Sequence, residues 1–481
     1  MEKEVTNSSE KEKHPIIKKK IKQSLDLSIK EGSYASVSSA LGVSYFSPFA
    51  LALGANSSQI GILSAFTNLL PGISQLIQSK KQYKKKISNK KILIQNAFLS
   101  YFLMFFLIAL GVFYILGYNF VVWGTILILG LFYYFFGIMD SSWFILMGTL
   151  VPENKRGTYF SKRNRTIQFF GMIAMIVSAY LLDISTKHGS IIGQVTTYTI
   201  FCFCFLFFMS FLFRLKSIQL LKNQYEPRIR IKKKEKRSLK NFLKEIKKTP
   251  FGNFAIYYAI FKFSMAIASP FFVVYILNEL KFSYTLFILT NISIILFNVL
   301  FFPIIGKIAD NYGNIALTKI SSIFISLVPL SWILTLFFNE SFYLLKIYAI
   351  IVPGLLFGFG GVGLELAARN YIYDTNNHER RMYALSYLNL LTGVLIFIGS
   401  LIGSLLTFVK IPFVSTLIFI FSISFLLRFI IAIWGSNKLQ EIRVVPNFKA
   451  KYILREIYPI KELYQSLNKI NNNNIEVIHK T

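Results

Sequence analysis

Residues 228–248 read RIRIKKKEKRSLKNFLKEIKK, close to the middle of a 481-residue chain. A stretch this charged cannot cross a bilayer, because each Lys or Arg at a helix centre costs roughly 2.5–3.5 kcal/mol. On both sides of it the sequence turns apolar. Upstream, six runs cover about Gly32–Leu53, Gln59–Gln78, 92–116, 120–148, 166–184 and 191–213. Downstream, six more cover about 251–277, 283–305, 315–338, 342–366, 383–408 and 412–434. A transmembrane helix needs about 20 such residues. The pattern predicts an all-α membrane protein with twelve transmembrane helices in two parallel six-helix halves. Residues 1–24 form a basic cytosolic tail, 25–215 the first half, 216–249 the basic linker, 250–436 the second half and 437–481 a polar, Asn-rich tail.

Composition agrees with this outline. The chain is 54% hydrophobic and 16% charged, with 49 Phe. A soluble domain carries about 25% charged residues, so this one could not cover its own surface. The net charge of +31 sits in the tails and in alternate loops. Lys80, Lys81, Lys84 to Lys86, Arg156, Lys162, Arg163, Arg165, Lys307, Lys319, Arg380 and Arg381 follow even-numbered spans, whereas odd-numbered spans are followed chiefly by Lys187, Lys281 and Lys410. The positive-inside rule then places both termini and the linker in the cytoplasm of a multi-pass cell-membrane protein. Short basic runs flanked by apolar segments exclude a nucleic-acid partner, and the partner implied throughout is the lipid bilayer. The linker is either an amphipathic helix bearing Leu239, Phe242, Leu243 and Ile246 against anionic lipid headgroups, or a solvated connector.

No enzyme chemistry is legible. The four His lie in tails or loops, and Cys202 and Cys204 sit two apart in one apolar helix, where they face different ways. No metal, cofactor or phosphate-binding loop is implied. The N-terminus is polar through Lys22, so the first span is expected to act as the membrane signal.

The halves repeat each other. Ser47-Pro48-Phe49 recurs as Ser269-Pro270-Phe271, Asn68 as Asn291, and Arg156-Gly157-Thr158-Tyr159 as Arg380-Arg381-Met382-Tyr383, at offsets of 222 to 224 residues. Parallel repeats of six spans are the architecture of major facilitator transporters. Three stretches resemble that family: Gly306-Lys-Ile-Ala-Asp310-Asn-Tyr-Gly313 after span 8, Val151-Pro-Glu-Asn-Lys-Arg156-Gly157 after span 4, and Leu53-Gly-Ala55 with Gln59-Ile-Gly61 entering span 2. The resemblance covers about residues 25–436. It implies a monomer that moves a small solute by alternating access. It also implies a cytoplasmic latch made by Gly306, Asp310, Gly313, Arg156 and Gly157, with the Asp310 carboxylate offered to a helix N-terminus or a neighbouring Arg. The loop after span 2, Gln82-Tyr-Lys-Lys-Lys-Ile-Ser-Asn89, lacks the family's glycines and acid, so the first half is expected to lack that latch or to make it from other groups. The Gly-Pro pattern of many family antiporters is missing from span 5, where only Gly171 stands.

Charges inside spans are costly and are functional candidates by default. Asp140 in span 4 is the leading one, as a proton or cation site; its alternative is a structural bridge to Arg163 or Arg165. Glu365 in span 10 stands within one residue of the symmetric position, with Arg369 one turn on as a surface partner. Lys262 in span 7 is placed to select an anionic solute. Glu31 and Arg428 read as interfacial. Tyr34, Tyr45, Asn68, Trp143 and Asn291 are candidates to line a solute path. The functional expectation is a secondary transporter of a small organic solute, unidentified by the sequence and coupled to an ion gradient, protons before sodium. The alternative is a receptor or scaffold that kept the fold without transporting.

Overall fold

In hydrocarbon a backbone amide has no water to bond, so each apolar run must satisfy its own N–H and C=O groups and becomes helical. The computed structural model describes residues 2–85, 88–151, 156–187, 191–192, 195–226, 249–338, 342–376, 378–409, 412 and 414–446. Among these, ten helices are long and apolar enough to cross a membrane. The other two rods of the twelve are spans 1 and 2, rich in Ser, Gly and Ala. Small and polar residues lower their hydropathy and suit close helix packing.

Span 1 is a helix over Glu2–Leu41, followed by a 3-10 turn at Val43–Tyr45 and a short helix at Phe46–Ala52. It thus continues back through the basic tail. Spans 2 to 6 are Ser57–Lys85, Asn89–Phe102 with Met104–Ile115, Val121–Leu150, Arg156–Ser185 and Thr197–Lys222. Spans 7 to 12 are Pro250–Ala268 continued by Phe271–Val274 and a π turn at Tyr275–Glu279, then Tyr284–Tyr312, Asn314–Ile333, Phe342–Thr375, His378–Leu406 and Thr416–Trp434. Proline has no N–H to give a preceding turn. The repeated Ser-Pro-Phe accordingly lies at or beside a helix break in both halves.

Span 6 begins later than the apolar run suggests. Ile191–Ile192 (β1) and Val195–Thr196 (β2) pair as a two-residue antiparallel hairpin, as β-branched residues favour. Thr196 then caps the helix by accepting the Thr199 amide at 3.2 Å.

Helix packing divides the chain into two compact units. One comprises Met1–Lys236, Ala266–Leu289 and Thr392–Leu417; the other comprises Arg237–Met265, Thr290–Leu391 and Ile418–Thr481. The first has a core of Leu93, Ala97, Met139, Leu146, Met147, Ile218 and Leu221, joining spans 3, 4 and 6. The second is built on Phe254, Tyr257 and Phe261 of span 7 against Ile325, Leu364 and Tyr371. Around them large apolar side chains are exposed, among them Phe106, Phe169, Phe201, Phe205, Leu300 and Trp434. Soluble monomers rarely carry so much exposed apolar surface; here it is the lipid face.

The last span of each half repeats a motif. Ser210-Phe-Leu-Phe-Arg214 corresponds to Ser424-Phe-Leu-Leu-Arg428. Each serine ties its helix to the first span of its half. Ser210 Oγ donates to Ser38 O at 2.7 Å, and Ser424 Oγ to Ser264 O at 2.7 Å. Both arginines are buried. Arg428 is not interfacial: it is 1% exposed and donates to Ile325 O at 3.2 Å and Met265 O at 3.0 Å. Arg214 donates to Met139 Sδ at 2.7 Å and lies 5.1 Å from the Tyr101 ring centroid.

Candidate functional site

Spans 7 and 10 bring two of the sequence candidates together. Lys262 Nζ donates to Glu365 Oε1 at 2.7 Å, and Tyr258 OH donates to the same oxygen at 2.8 Å. The ammonium also lies 5.2 Å from the Tyr258 ring centroid. Tyr258 precedes Lys262 by one helical turn, which is why both reach one acceptor. Arg369, the expected helix-surface partner of Glu365, is supplanted by Lys262 as the direct contact. The pair lies deep in its helices, about 18 Å from Pro250 and about 15 Å from Thr375 at roughly 1.5 Å per residue. It is nonetheless accessible, with side chains 17% and 48% exposed. An accessible ion pair at this depth can exchange one partner for a charged group of a solute.

Asp140 is exposed. It shares its helix face with Phe136 at i−4, Trp143 at i+3 and Tyr133 two turns back. Tyr133 meets the Phe46 ring of span 1 at 6.2 Å, and Trp143 lies 4.4 Å below the Arg163 guanidinium of span 5. Asp140 therefore shares a face with side chains that meet spans 1 and 5 and with the exposed Phe144 one turn on, opposite the exposed Leu131. Arg163, one of its expected partners, instead pairs with Glu31 at 3.5 Å.

That second ion pair corrects the interfacial reading of Glu31. Glu31 is 2% exposed and accepts Ser217 Oγ at 2.8 Å, while Arg163 donates through Nε to Ser28 O at 3.3 Å. Gly32 leaves room for it: a Cβ there would lie 2.5 Å from Arg163 Nη2. The pair, the Trp143 face and Ser217 join spans 1, 4, 5 and 6.

The other candidate lining residues divide. Tyr45 is fully buried and donates to Ser178 Oγ or accepts from it at 2.8 Å, tying span 1 to span 5; it lines no cavity. Asn68 is exposed but donates within its own helix to Ser64 O at 2.8 Å. Tyr34 is exposed beside the Phe213 ring, Trp143 is occupied by Arg163, and Asn291 is half-buried.

The loop expected to hold the latch is braced from an unexpected place. Gly313 has φ +92°, a conformation that favours glycine, and it opens span 9. Asp310 is exposed; the carboxylate at this N-terminus belongs to Glu441, beyond span 12, which accepts the Ile315 amide at 2.9 Å. Arg443 donates to Ala309 O and pairs with Asp374 at 3.4 Å, and Asn314 donates to the same Asp374 at 2.7 Å. Gly306 lies within span 8 with open space beside it. The first half has a counterpart that the loop sequence conceals. Glu226, just beyond span 6, accepts Ser88 Oγ and the Lys90 amide at the start of span 3. The signal was in the sequence, since Lys222-Asn-Gln224-Tyr-Glu226 resembles Lys438-Leu-Gln440-Glu441. Arg156 and Gly157 open the span 5 helix; Pro152 to Lys155, the linker with Leu239, Phe242, Leu243 and Ile246, and the tail beyond residue 446 lie outside the described residues.

Twelve helical rods with repeated halves and charged groups deep in the spans define a membrane-transporter fold. The family model of the Major Facilitator Superfamily matches residues 32–372, and the chain belongs to that superfamily. No curated protein sequence matches it. Among solved structures it is similar to the xylose transporter XylE from E. coli in an inward open conformation, at 13% identity and TM-score 0.60, covering 90% of this chain and 98% of that one. It is also similar to the nucleoside transporter NupG, at 14% identity and TM-score 0.57, covering 88% and 100%. A POT family transporter in complex with a thioalcohol-conjugated peptide gives 13% identity and TM-score 0.60, covering 88% and 96%. At these identities the likeness establishes the fold.

Proposed function

We propose that the protein is a secondary active transporter that moves a small organic solute by alternating access, driven by a proton gradient. Its basic side faces the cytoplasm of a cell membrane, and it works as a monomer. The observation that carries this reading is the accessible Lys262–Glu365 pair with Tyr258. A charge inside a span is costly, and an ion pair with one half-exposed partner stabilises the fold little. Its use is recognition. An anionic group on the solute displaces Glu365 from Lys262, and a carboxylate that loses its neighbouring cation binds a proton more readily, because an adjacent opposite charge favours the charged form. Loading of solute and proton are thereby linked at one place. The similar solved structures, a xylose transporter, a nucleoside transporter and a POT family transporter in complex with a thioalcohol-conjugated peptide, support a small polar organic solute as the cargo class.

Asp140 is the second element of this reading. It occupies the place in span 4 that Glu365 occupies in span 10, and it too is open. We assign it the proton that crosses with the cavity. Purified protein in liposomes, given an imposed proton gradient and a broad solute panel, should accumulate a solute. Asp140→Asn should abolish accumulation while exchange of labelled for unlabelled solute continues. Undiminished accumulation by Asp140→Asn makes that carboxylate structural; an absence of flux for every solute removes the transporter reading.

A further inference from the structure

On the side of the basic loops the helix of span 1 continues past its apolar run, and the turn after span 6 folds against that extension. The Tyr225 amide donates to Ser24 Oγ at 2.7 Å, and the serine is 2% exposed. Span 3 braces the same turn, with Lys90 Nζ donating to Gln224 O at 2.6 Å. Span 5 braces the helix, with Tyr159 OH donating to Leu25 O at 3.0 Å. All four elements belong to the first packing unit.

Between the extension and the turn lies a cleft of about 610 Å³, within the usual size of a small-ligand site. Lys20, Gln23, Leu27 and Lys30 form one wall. They stand at i, i+3, i+7 and i+10, which is a single face of the helix. Asn223 and Tyr225 form the other wall. Two ammonium groups and two side-chain amides offer donors to an oxygen-rich anion, and Leu27 gives it an apolar flank. Asp26 also lines the cleft and opposes one of the two cations. Gln224, between the two residues of the second wall, is 1% exposed, and neither atom of its side-chain amide has a partner. A buried amide left unpaired is costly, and an oxygen-rich ligand beside it offers the missing acceptor.

The depth of the cleft names the source of that anion. Span 1 turns apolar at about Gly32. At roughly 1.5 Å per residue, Lys30 stands about 3 Å and Lys20 about 18 Å outside the hydrocarbon, measured along the helix. The headgroup layer, about 5–8 Å deep on each face, falls between them. Lipid phosphates stand at that level permanently, and basic pockets between spans on such a face take anionic headgroups. We propose that the cleft holds the phosphate of an anionic phospholipid, with Lys20 and Lys30 as its cations and Leu27 against the start of the lipid's apolar part. The inference uses no residue of the Lys262–Glu365 site and holds whether or not the chain moves a solute.

The test uses the full chain, delipidated in detergent and titrated with phosphatidylglycerol, the first bound lipid being counted by native mass spectrometry. Phosphatidylcholine with the same acyl chains and glycerol 3-phosphate are the comparison probes. Phosphatidylglycerol should bind the parent more tightly than phosphatidylcholine does. Lys20→Gln combined with Lys30→Gln should weaken its binding about thirtyfold, the worth of two cations at the membrane surface. Both side chains are exposed, so the fold should tolerate the change. Lys307→Gln combined with Lys319→Gln removes the same charge elsewhere on the basic side and should leave the binding unchanged. Asp26→Asn removes the opposing charge and should tighten binding about fivefold, a gain that a misfolded protein cannot give. Binding by the Lys20 and Lys30 variant equal to that of the parent overturns the site. So does an equal loss in the Lys307 and Lys319 variant, which would reduce the effect to a general attraction of lipid to the basic side. No gain from Asp26→Asn overturns the charge balance on which the site rests. Phosphatidylcholine bound as tightly as phosphatidylglycerol overturns the choice of an anionic headgroup. Glycerol 3-phosphate that displaces the lipid at equal concentration makes the cleft a free-phosphate site and overturns the lipid as its source.

Discussion

Among the described residues each half holds an ion pair between two of its spans, and these pairs differ in what surrounds them. Glu31–Arg163 is sealed: the side chains are 3% and 8% exposed, Ser217 donates to Glu31, and Arg163 donates to Ser28 and lies over the Trp143 ring. Lys262–Glu365 is shorter but open, with Tyr258 as its additional partner. The longer pair is the more enclosed one. On the proposed reading, enclosure rather than separation distinguishes the pair that works from the pair that supports. A sealed pair has no room for a third party, and removing one member strands a charge. An open pair has already kept much of its solvation and can lose a partner to a solute.

The largest effect that separates the two should come from the sealed pair. Glu31→Gln leaves Arg163 buried without its countercharge, and breaking a buried pair in this way costs about 3–5 kcal/mol. Thermal melting of purified protein in detergent should show a large drop, and Glu31→Gln paired with Arg163→Met should recover much of it. A melting point equal to that of the parent would place Glu31 among the accessible groups instead.

A smaller effect compares the halves at their basic-side braces. Glu226 and Glu441 each present a carboxylate to the start of the third span of their half. Replacing either with Ala should destabilise by about 1 kcal/mol, the usual value of a helix cap. Equal losses measured by denaturation would mean that the halves share the brace. A loss confined to Glu441→Ala would restore the asymmetry that the loop sequences suggest.

Much of the architecture was legible because the bilayer imposes a long apolar period on each span, and because basic loops alternate with bare ones. The two candidates Lys262 and Glu365 were also legible, since charge in an apolar run stands out. Their pairing was not, because spans 7 and 10 meet only through tertiary packing. The same limit explains the misread Arg428. An isolated charge near a helix end looks interfacial until the Met265 and Ile325 carbonyls are seen to receive it. Glu226 and Glu441 do not stand out in the sequence because the family's glycines mark the loops after spans 2 and 8, while the resemblance between these two carboxylates lies past the last span of each half.

The most direct measurement is gradient-driven solute uptake by Glu365→Gln in liposomes, set beside its melting temperature. Glutamine keeps the size and accepts a hydrogen bond but gives Lys262 no charge to release. Uptake should fall at least about tenfold, a change of roughly 1.4 kcal/mol, while stability moves by less than about 1 kcal/mol, as expected of an accessible pair. Uptake equal to that of the parent, or a collapse in stability like that of Glu31→Gln, would contradict the assignment of the open pair as the working one.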